Sequence, residues 1–435
     1  MWSVVSATSG NFLAAFDFFI FGYFATAIGR VFFPAESEYA SLMLSLATFG
    51  VGFLIRPLGA IIVGGYIDRR GRRNGLLLTL GLMAIATLVM AVVPGYQTIG
   101  LAAPLLVVLA RLTQGFSEGG ELPGVAVYLS EIAKAGRKGF YVSLQPASQQ
   151  VAVIILSLLG VVLSEILRPE QMDSWGWRIP FLVGCTLIPF LFMIRRTLPE
   201  TEEFLTRAHH PTPSEILHSL IVNWRLIVLG ILTVMMTTVS FYYITAYTPT
   251  FGRQVLKLAP GDNLLVTMCV GFSNLIWQLI SGMVSDRIGR RPILIACTVL
   301  ALLTAYPALS WLVAAPSFTR LLVVELWLSV LYAWYNGTMA VWMTEIMPAQ
   351  VRATSFSFAY NIAVALFGGF TPAISTFLFH ETGNAAIGGV WLSIAAACSL
   401  AAALLIRLPS EISERTTAAV HAEASRPGVL ARPKS

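Results

Sequence analysis

The chain has 435 residues, of which 56% are hydrophobic and only 11% charged, with a formal net charge of +6 and a mean hydropathy of +0.75. One water-soluble core cannot hide that much apolar surface, so the composition excludes an ordinary soluble domain and calls for lipid as part of the solvent. The positive balance sits in short loops and a basic tail after Arg407, a topological signature that gives no reason to invoke nucleic acid.

In chain order, apolar runs long enough to cross a hydrocarbon core of roughly 30 Å as helices are expected at 9–33, 39–65, 75–94, 100–131, 139–167 and 178–196. After a hydrophilic break they resume at 224–249, 264–285, 292–314, 319–346, 354–378 and 386–407. Lipid enforces the helical choice, because an unpaired backbone amide in hydrocarbon costs several kcal/mol. The expected organisation is therefore an all-α integral membrane protein of twelve spans. It divides into an N-terminal six-helix half (1–196), a central loop (197–223), a C-terminal six-helix half (224–407) and a disordered polar tail (408–435). In the loop, Thr212 with Glu215 reads as a capping box and suggests a short surface helix.

Lys and Arg in short loops set orientation. Arg69, Arg70, Arg72, Arg73, Lys134, Arg137, Lys138, Arg195, Arg196, Arg207, Arg287, Arg290 and Arg291 share one side, which should be cytoplasmic, as should both termini. The first apolar run contains Asn11 and Asp17 and is long enough to span, so it does not read as a cleavable signal. Cys185, Cys269, Cys297 and Cys398 lie singly in apolar runs, without metal-site or disulfide spacing.

One pattern occurs twice. Gly64-Gly65-Tyr66-Ile67-Asp68-Arg69-Arg70-Gly71-Arg72-Arg73 follows the second span and Gly282-Met283-Val284-Ser285-Asp286-Arg287-Ile288-Gly289-Arg290-Arg291 follows the eighth; both fit G-x-x-x-D-R-x-G-R-R. Placement between corresponding helices is what duplication of a six-helix unit predicts. The first Gly permits close helix approach, the Asp accepts charge-assisted hydrogen bonds near a helix end, and the Arg cluster meets anionic lipid or carboxylates. A plain positive loop explains the arginines but not Gly and Asp at fixed offsets. Gly64, Asp68, Arg72, Asp286 and Arg290, with Glu345 and Arg352, are thus candidate gating residues.

On these motifs the chain resembles the major facilitator superfamily, which implies two halves rocking about a central site. Gly10-Asn11-Phe12-Leu13 with Phe16-Asp17, Arg56-Pro57-Leu58-Gly59, Gln114-Gly115-Phe116, Gly119-Gly120-Glu121 and Trp175-Gly176-Trp177-Arg178 look like its metabolite:proton symporter family. Phe33-Pro34-Ala35-Glu36-Ser37-Glu38, Pro94-Gly95-Tyr96, Lys138-Gly139-Phe140-Tyr141, Ser148-Gln149-Gln150 and Phe367-Gly368-Gly369 are similar to the bacterial citrate and tricarballylate symporters within it. The resemblance implies import of a small organic anion with protons, by a monomer in a bacterial inner membrane.

Charges inside a bilayer are costly and so mark function or structural pairing. Asp17, Arg56, Arg111, Glu118, Glu121 and Glu325 are in this position. Arg56 and Arg111 fall near mid-depth, and Arg forks match carboxylates; each is either a substrate ligand or the partner of a nearby acid. Arg111, Gln114, Glu118 and Glu121 share one helical face. Asp17, Glu118 and Glu121 are the candidate proton carriers. Gln145, Gln149, Tyr242, Asn274, Tyr335, Asn336 and Asn361 are candidate hydrogen-bond donors to substrate, or else glue between helices.

Two departures from the resembled family stand out. Ala14-Ala15 precedes Phe16-Asp17 where relatives carry Glu, and Glu118 stands where the citrate symporters carry a small residue. Either a proton site moved from span one to span four, or the substrate shifted to another acid such as itaconate, ketoglutarate or an aromatic acid, or to a zwitterionic osmolyte. Sodium in place of protons and a non-transporting sensor are further readings. H-E-x-x-H, G-x-S-x-G and phosphate-loop patterns are absent, and His209, His210, His218, His380 and His421 lie outside or at the edges of spans, so neither enzyme chemistry nor a cofactor or metal is expected.

Overall fold

The computed structural model describes residues 2–70, 72–119, 122–196, 220–347 and 352–406, which are helical apart from short connecting segments. The central loop with its expected capping-box helix, the tail, and Glu121 lie outside the described residues. The first half comprises α1 (Trp2–Tyr23), α2 (Ala25–Phe32), α3 (Glu38–Leu54), α4 (Arg56–Arg70), α5 (Arg72–Val92), α6 (Tyr96–Ile99), α7 (Ala102–Glu118), α8 (Leu122–Glu131), α9 (Lys138–Ile166), α10 (Pro169–Ser174) and α11 (Ile179–Arg196). The second comprises α12 (Trp224–Phe241), α13 (Thr248–Gln254), α14 (Pro260–Ile288), α15 (Arg290–Ala314), α16 (Phe318–Ile346), α17 (Arg352–Ala363), α18 (Thr371–Thr382) and α19 (Gly388–Leu405). Read as continuous paths, α1 with α2, α3 with α4, α7 with α8, α12 with α13 and α17 with α18 each form one crossing, and the architecture is the twelve-helix one expected.

Several crossings are interrupted at points the hydropathy pattern does not mark. The first bends by 67° between Tyr23 and Ala25. The second breaks at Ile55, just before Arg56-Pro57, where proline takes the second position of the new helix and its missing N–H is of no consequence. The seventh and eleventh each contain a π-helical stretch, Tyr242–Tyr247 and Val364–Gly368. Such a stretch inserts an extra residue into the helical ladder and is frequent at functional sites.

Across the two halves, α9 packs along α14 and α16, α3 meets α18 and the second π stretch, α4 and α8 meet α17, and α1 meets the first π stretch. Outward faces carry exposed Leu101, Leu105, Ile166, Phe190, Met193 and Leu405. That is the arrangement for a protein solvated by lipid, where van der Waals packing rather than apolar burial holds helices together. Small residues make it possible: Gly52, Gly59, Gly115 and Gly119 lie where α3 and α4 meet α7 and the residue after it, with backbone directly against backbone. All four cysteines are free, Cys297 buried and the others half-buried.

Candidate functional site

Buried polar residues line the seam between the halves. Within it lies a small, partly open cavity of about 20 Å³, walled by Ala14, Ala15, Phe18, Phe19, Arg56, Glu118, Gln149, Phe241, Tyr242 and Tyr360. That volume holds roughly one water, too little for an organic acid in this conformation.

Arg56, the first residue of α4, forms an ion pair with Glu118 at the end of α7. Its guanidinium also lies over the rings of Phe53 at 4.4 Å and Phe18 at 4.7 Å, and its Nε has no hydrogen-bond partner. Arg111, one helical face away, is fully buried and caged by Phe18 (3.8 Å), Phe21 (4.8 Å) and Phe49 (5.3 Å). Desolvated cation–π contacts of this kind contribute about 1–2 kcal/mol each. They hold both guanidiniums without consuming their donors. Arg111 donates from Nη1 to Gln114 Oε1 at 2.8 Å, whereas its Nε and Nη2 have no partner. Gln114 in turn donates to Asp17, which also accepts from Thr87 Oγ1 at 2.7 Å. Asp17 and Arg111 are thus linked through Gln114, and the face predicted to carry Arg111, Gln114 and Glu118 is a single buried polar stripe.

The other predicted ligands are distributed unevenly. Gln149 and Tyr242 line the cavity, and Gln145 is buried on the same helix as Gln149, its carbonyl accepting from Asn11 Nδ2 at 3.0 Å. Asn274 is committed to neighbours, donating to Gln150 Oε1 at 3.2 Å across the halves and accepting from Ser329 at 2.8 Å. Asn361 donates to Gly119 O at 2.9 Å, again across the halves. Asn336 donates to the Tyr332 hydroxyl at 2.9 Å. Tyr335 lies in the packing core of the second half, its hydroxyl donating to Thr233 O at 2.7 Å, and does not line the cavity.

Sequence reasoning missed Phe18, Phe19, Phe241 and Tyr360 of the cavity wall, because an aromatic residue in a span carries no mark distinguishing a cage from a lipid face. Adjacency was the available signal: Phe18 follows Asp17 and Tyr360 precedes Asn361.

At the end of the bundle carrying the basic loops, the second repeat motif makes the contacts its residue types allow. Asp286 accepts from the backbone N–H of Gly139 (2.8 Å) and Phe140 (3.2 Å), capping α9 from the opposite half. A Cβ on Gly282 would collide with Gly139 O at 2.6 Å, so glycine is required for that approach. Arg290 bridges Asp286 at 2.9 Å and Glu345 at 3.1 Å. Arg352 begins α17 and its Nε has no hydrogen-bond partner. For the first repeat, Gly64, Asp68 and Arg72 are placed on α4 and α5, with their side chains outside the described set. At the opposite end, Arg30 of α2 and Arg253 of α13 converge on Asp173, again joining the halves.

Comparison with known proteins agrees with this architecture. The family model for the Major Facilitator Superfamily matches residues 7–369. Over 404 residues the chain is 56% identical to a citrate-proton symporter of Salmonella typhi, covering 93% of each protein. It is 53% identical over 414 residues to a citrate-proton symporter of Klebsiella pneumoniae, covering 95% of this chain and 93% of that one. An alpha-ketoglutarate permease of Escherichia coli K12 is 33% identical over 85% of each. Among solved structures, a partially occluded inward-open conformation of the E. coli xylose transporter matches with a TM-score of 0.74, over 94% of this chain and 98% of that one, at 20% identity, which is a likeness of fold. The chain is a multi-pass membrane protein and belongs to the Major Facilitator Superfamily.

Proposed function

We propose that the protein is a transporter that imports a tricarboxylate of the citrate class together with protons by alternating access across a bacterial inner membrane, its basic loops and both termini facing the cytoplasm. The observation that carries the reading is Arg111: a fully buried guanidinium, stacked on Phe18 of the cavity wall, with two donor nitrogens that have no hydrogen-bond partner. Carboxylate is the chemistry that fits such a fork. High identity over nearly the whole length to two proteins named citrate-proton symporters supports the substrate class.

Coupling follows from charge. Arg56, Arg111, Asp17 and Glu118 sum to zero when both acids are ionised, and a neutral site has no attraction for a polyanion. Protonating Asp17 and Glu118 leaves two uncompensated guanidiniums. Proton binding and anion binding therefore favour each other, and the linkage is reciprocal. The energetics require it: an interior-negative potential of about 100 mV opposes entry by roughly 2.3 kcal/mol per negative charge, about 7 kcal/mol for a trianion. Phe18, Gln149, Tyr242 and Tyr360 would complete the substrate chamber when it opens. Asp286, Arg290 and Glu345 would latch the cytoplasmic end, and Arg30, Asp173 and Arg253 the outer one.

The test is uptake of labelled citrate by energised vesicles containing the protein, challenged with unlabelled tricarballylate, itaconate, ketoglutarate and betaine. Competition by tricarballylate and not by betaine supports the reading. Absent citrate uptake alongside uptake of another acid would reject the substrate class, and would implicate Ala14 and Glu118 in a shifted specificity.

A further inference from the structure

Glu325 belongs to none of the sites above. It lies on α16 two turns from the outer end, about 10 Å along the helix, fully buried among Leu321, Val324 and Leu328 of its own helix. Among the described residues its Oε2 has no hydrogen-bond partner, and the hydroxyl of Thr248, 3.0 Å from Oε1, is its one hydrogen-bonding contact. The titratable group facing it is the Tyr243 hydroxyl. Charges on neighbouring elements are turned elsewhere: Arg253 of α13 reaches Asp173, Arg320 donates to Trp311 O at 2.8 Å, and Arg290 of α15 lies at the far, basic end.

The Thr248 hydroxyl also lies 3.0 Å from Ile244 O and, more distantly, 3.3 Å from Tyr243 O. One hydroxyl carries one proton and cannot donate fully to Glu325 and to a carbonyl at once. In the π-helical stretch that ends at Tyr247, the Ile244 carbonyl would accept from residue 249, but that residue is Pro249 and has no N–H. The carbonyl therefore needs the threonine proton. Both needs are met together only if Glu325 is itself protonated: its O–H donates to Thr248 Oγ1, which donates to Ile244 O. An ionised Glu325 would take the threonine proton, strand a buried carbonyl and leave a carboxylate in an apolar pocket with no cation, each of which is costly.

Thr248 opens α13, and the same short helix carries Arg253 to the outer latch on Asp173. Seating α13 thus brings Thr248 onto Glu325 and Arg253 onto Asp173 in one movement. We propose that Glu325 is a third proton-binding carboxyl, distinct from Asp17 and Glu118, that takes up a proton from water when the outer end closes and loses it to water when that end opens. Outer closure is then favoured by acid; because the proton is taken from and returned to water at the same end, it makes closure pH-dependent without adding to the protons carried with the substrate, and the transport part of this inference rests on the function proposed above.

Two measurements decide it. In infrared spectra of the purified protein at neutral pH, wild type should show the carbonyl stretch of a protonated carboxyl that Glu325→Gln removes and that Thr248→Val moves to higher frequency, since the O–H loses its acceptor. A spectrum unchanged by both substitutions overturns the proposal, whatever the substrate. In reconstituted vesicles, Glu325→Gln fixes the neutral form; substrate exchange should persist while the pH dependence of net uptake loses about ten-fold per pH unit relative to wild type. An unaltered pH profile with an intact infrared band contradicts it. Failure of wild type to take up citrate would reject the substrate reading alone, leaving the infrared result to decide the fate of Glu325.

Discussion

Arg56 of α4 and Glu118 of α7 face each other across the wall of the central cavity with only 3% and 2% of their side chains exposed. Two desolvated charges of opposite sign are each intolerable alone, so the pair behaves as one unit. Glu118 is thus the nearby acid that partners Arg56 in this conformation.

Removing one partner leaves an uncompensated buried charge, at a cost of about 3–5 kcal/mol. Arg56→Met alone and Glu118→Leu alone should each lower the melting temperature in detergent markedly, whereas the double substitution should recover most of the loss. A loss in the double variant equal to the sum of the two single losses would show that the two side chains act independently.

If Glu118 is also a proton carrier, Glu118→Gln removes one titrating group next to the anion site. The rate of citrate uptake should then vary less steeply with pH than in wild type, by about ten-fold per unit. An unchanged profile excludes relocation of the proton site from the first span to Glu118, and leaves Asp17 as the carrier in that half.

Arg111→Lys keeps the charge but loses the planar fork and its stacking on Phe18, Phe21 and Phe49. The half-saturating citrate concentration should rise by about ten-fold or more, the equivalent of losing one charge-assisted hydrogen bond of about 1.5–3 kcal/mol. A Lys variant with wild-type affinity would place the anion elsewhere.

Asp286→Asn removes a charge-assisted cap from α9 and a partner from Arg290. Caps contribute about 0.5–2 kcal/mol, enough to shift a two-state equilibrium roughly 2- to 30-fold toward an open basic end. A cysteine placed near Gly139 should then react faster with a membrane-impermeant thiol reagent applied from the basic side. Unaltered labelling would mean that the Asp286 contacts do not hold that end shut.

Much of this was legible in advance because lipid makes sequence periodicity unusually informative: twelve apolar runs and a motif repeated across the ends of α4 and α14 required only length and spacing. Asp286 and Gly282 act as their residue types suggested. What escaped was set by contacts distant in sequence or by helix defects with no hydropathic mark. The 67° bend near Phe24 and the π stretch at Tyr242–Tyr247 keep the same apolar content as straight helix. For Tyr335 and Asn274 the residue types left substrate donor and interhelical glue equally open, and their hydrogen bonds in the structure go to neighbouring helices. The Phe18 cage was invisible because Phe suits lipid and cation alike.

The central claim is that protons move inward with the tricarboxylate. It is tested most directly by adding citrate to a lightly buffered suspension of de-energised vesicles, with their basic-loop side inside, and recording external pH. Alkalinisation that follows citrate, is abolished by an uncoupler and is lost in Arg111→Ala is the predicted result. Citrate entry without any pH change would contradict proton symport.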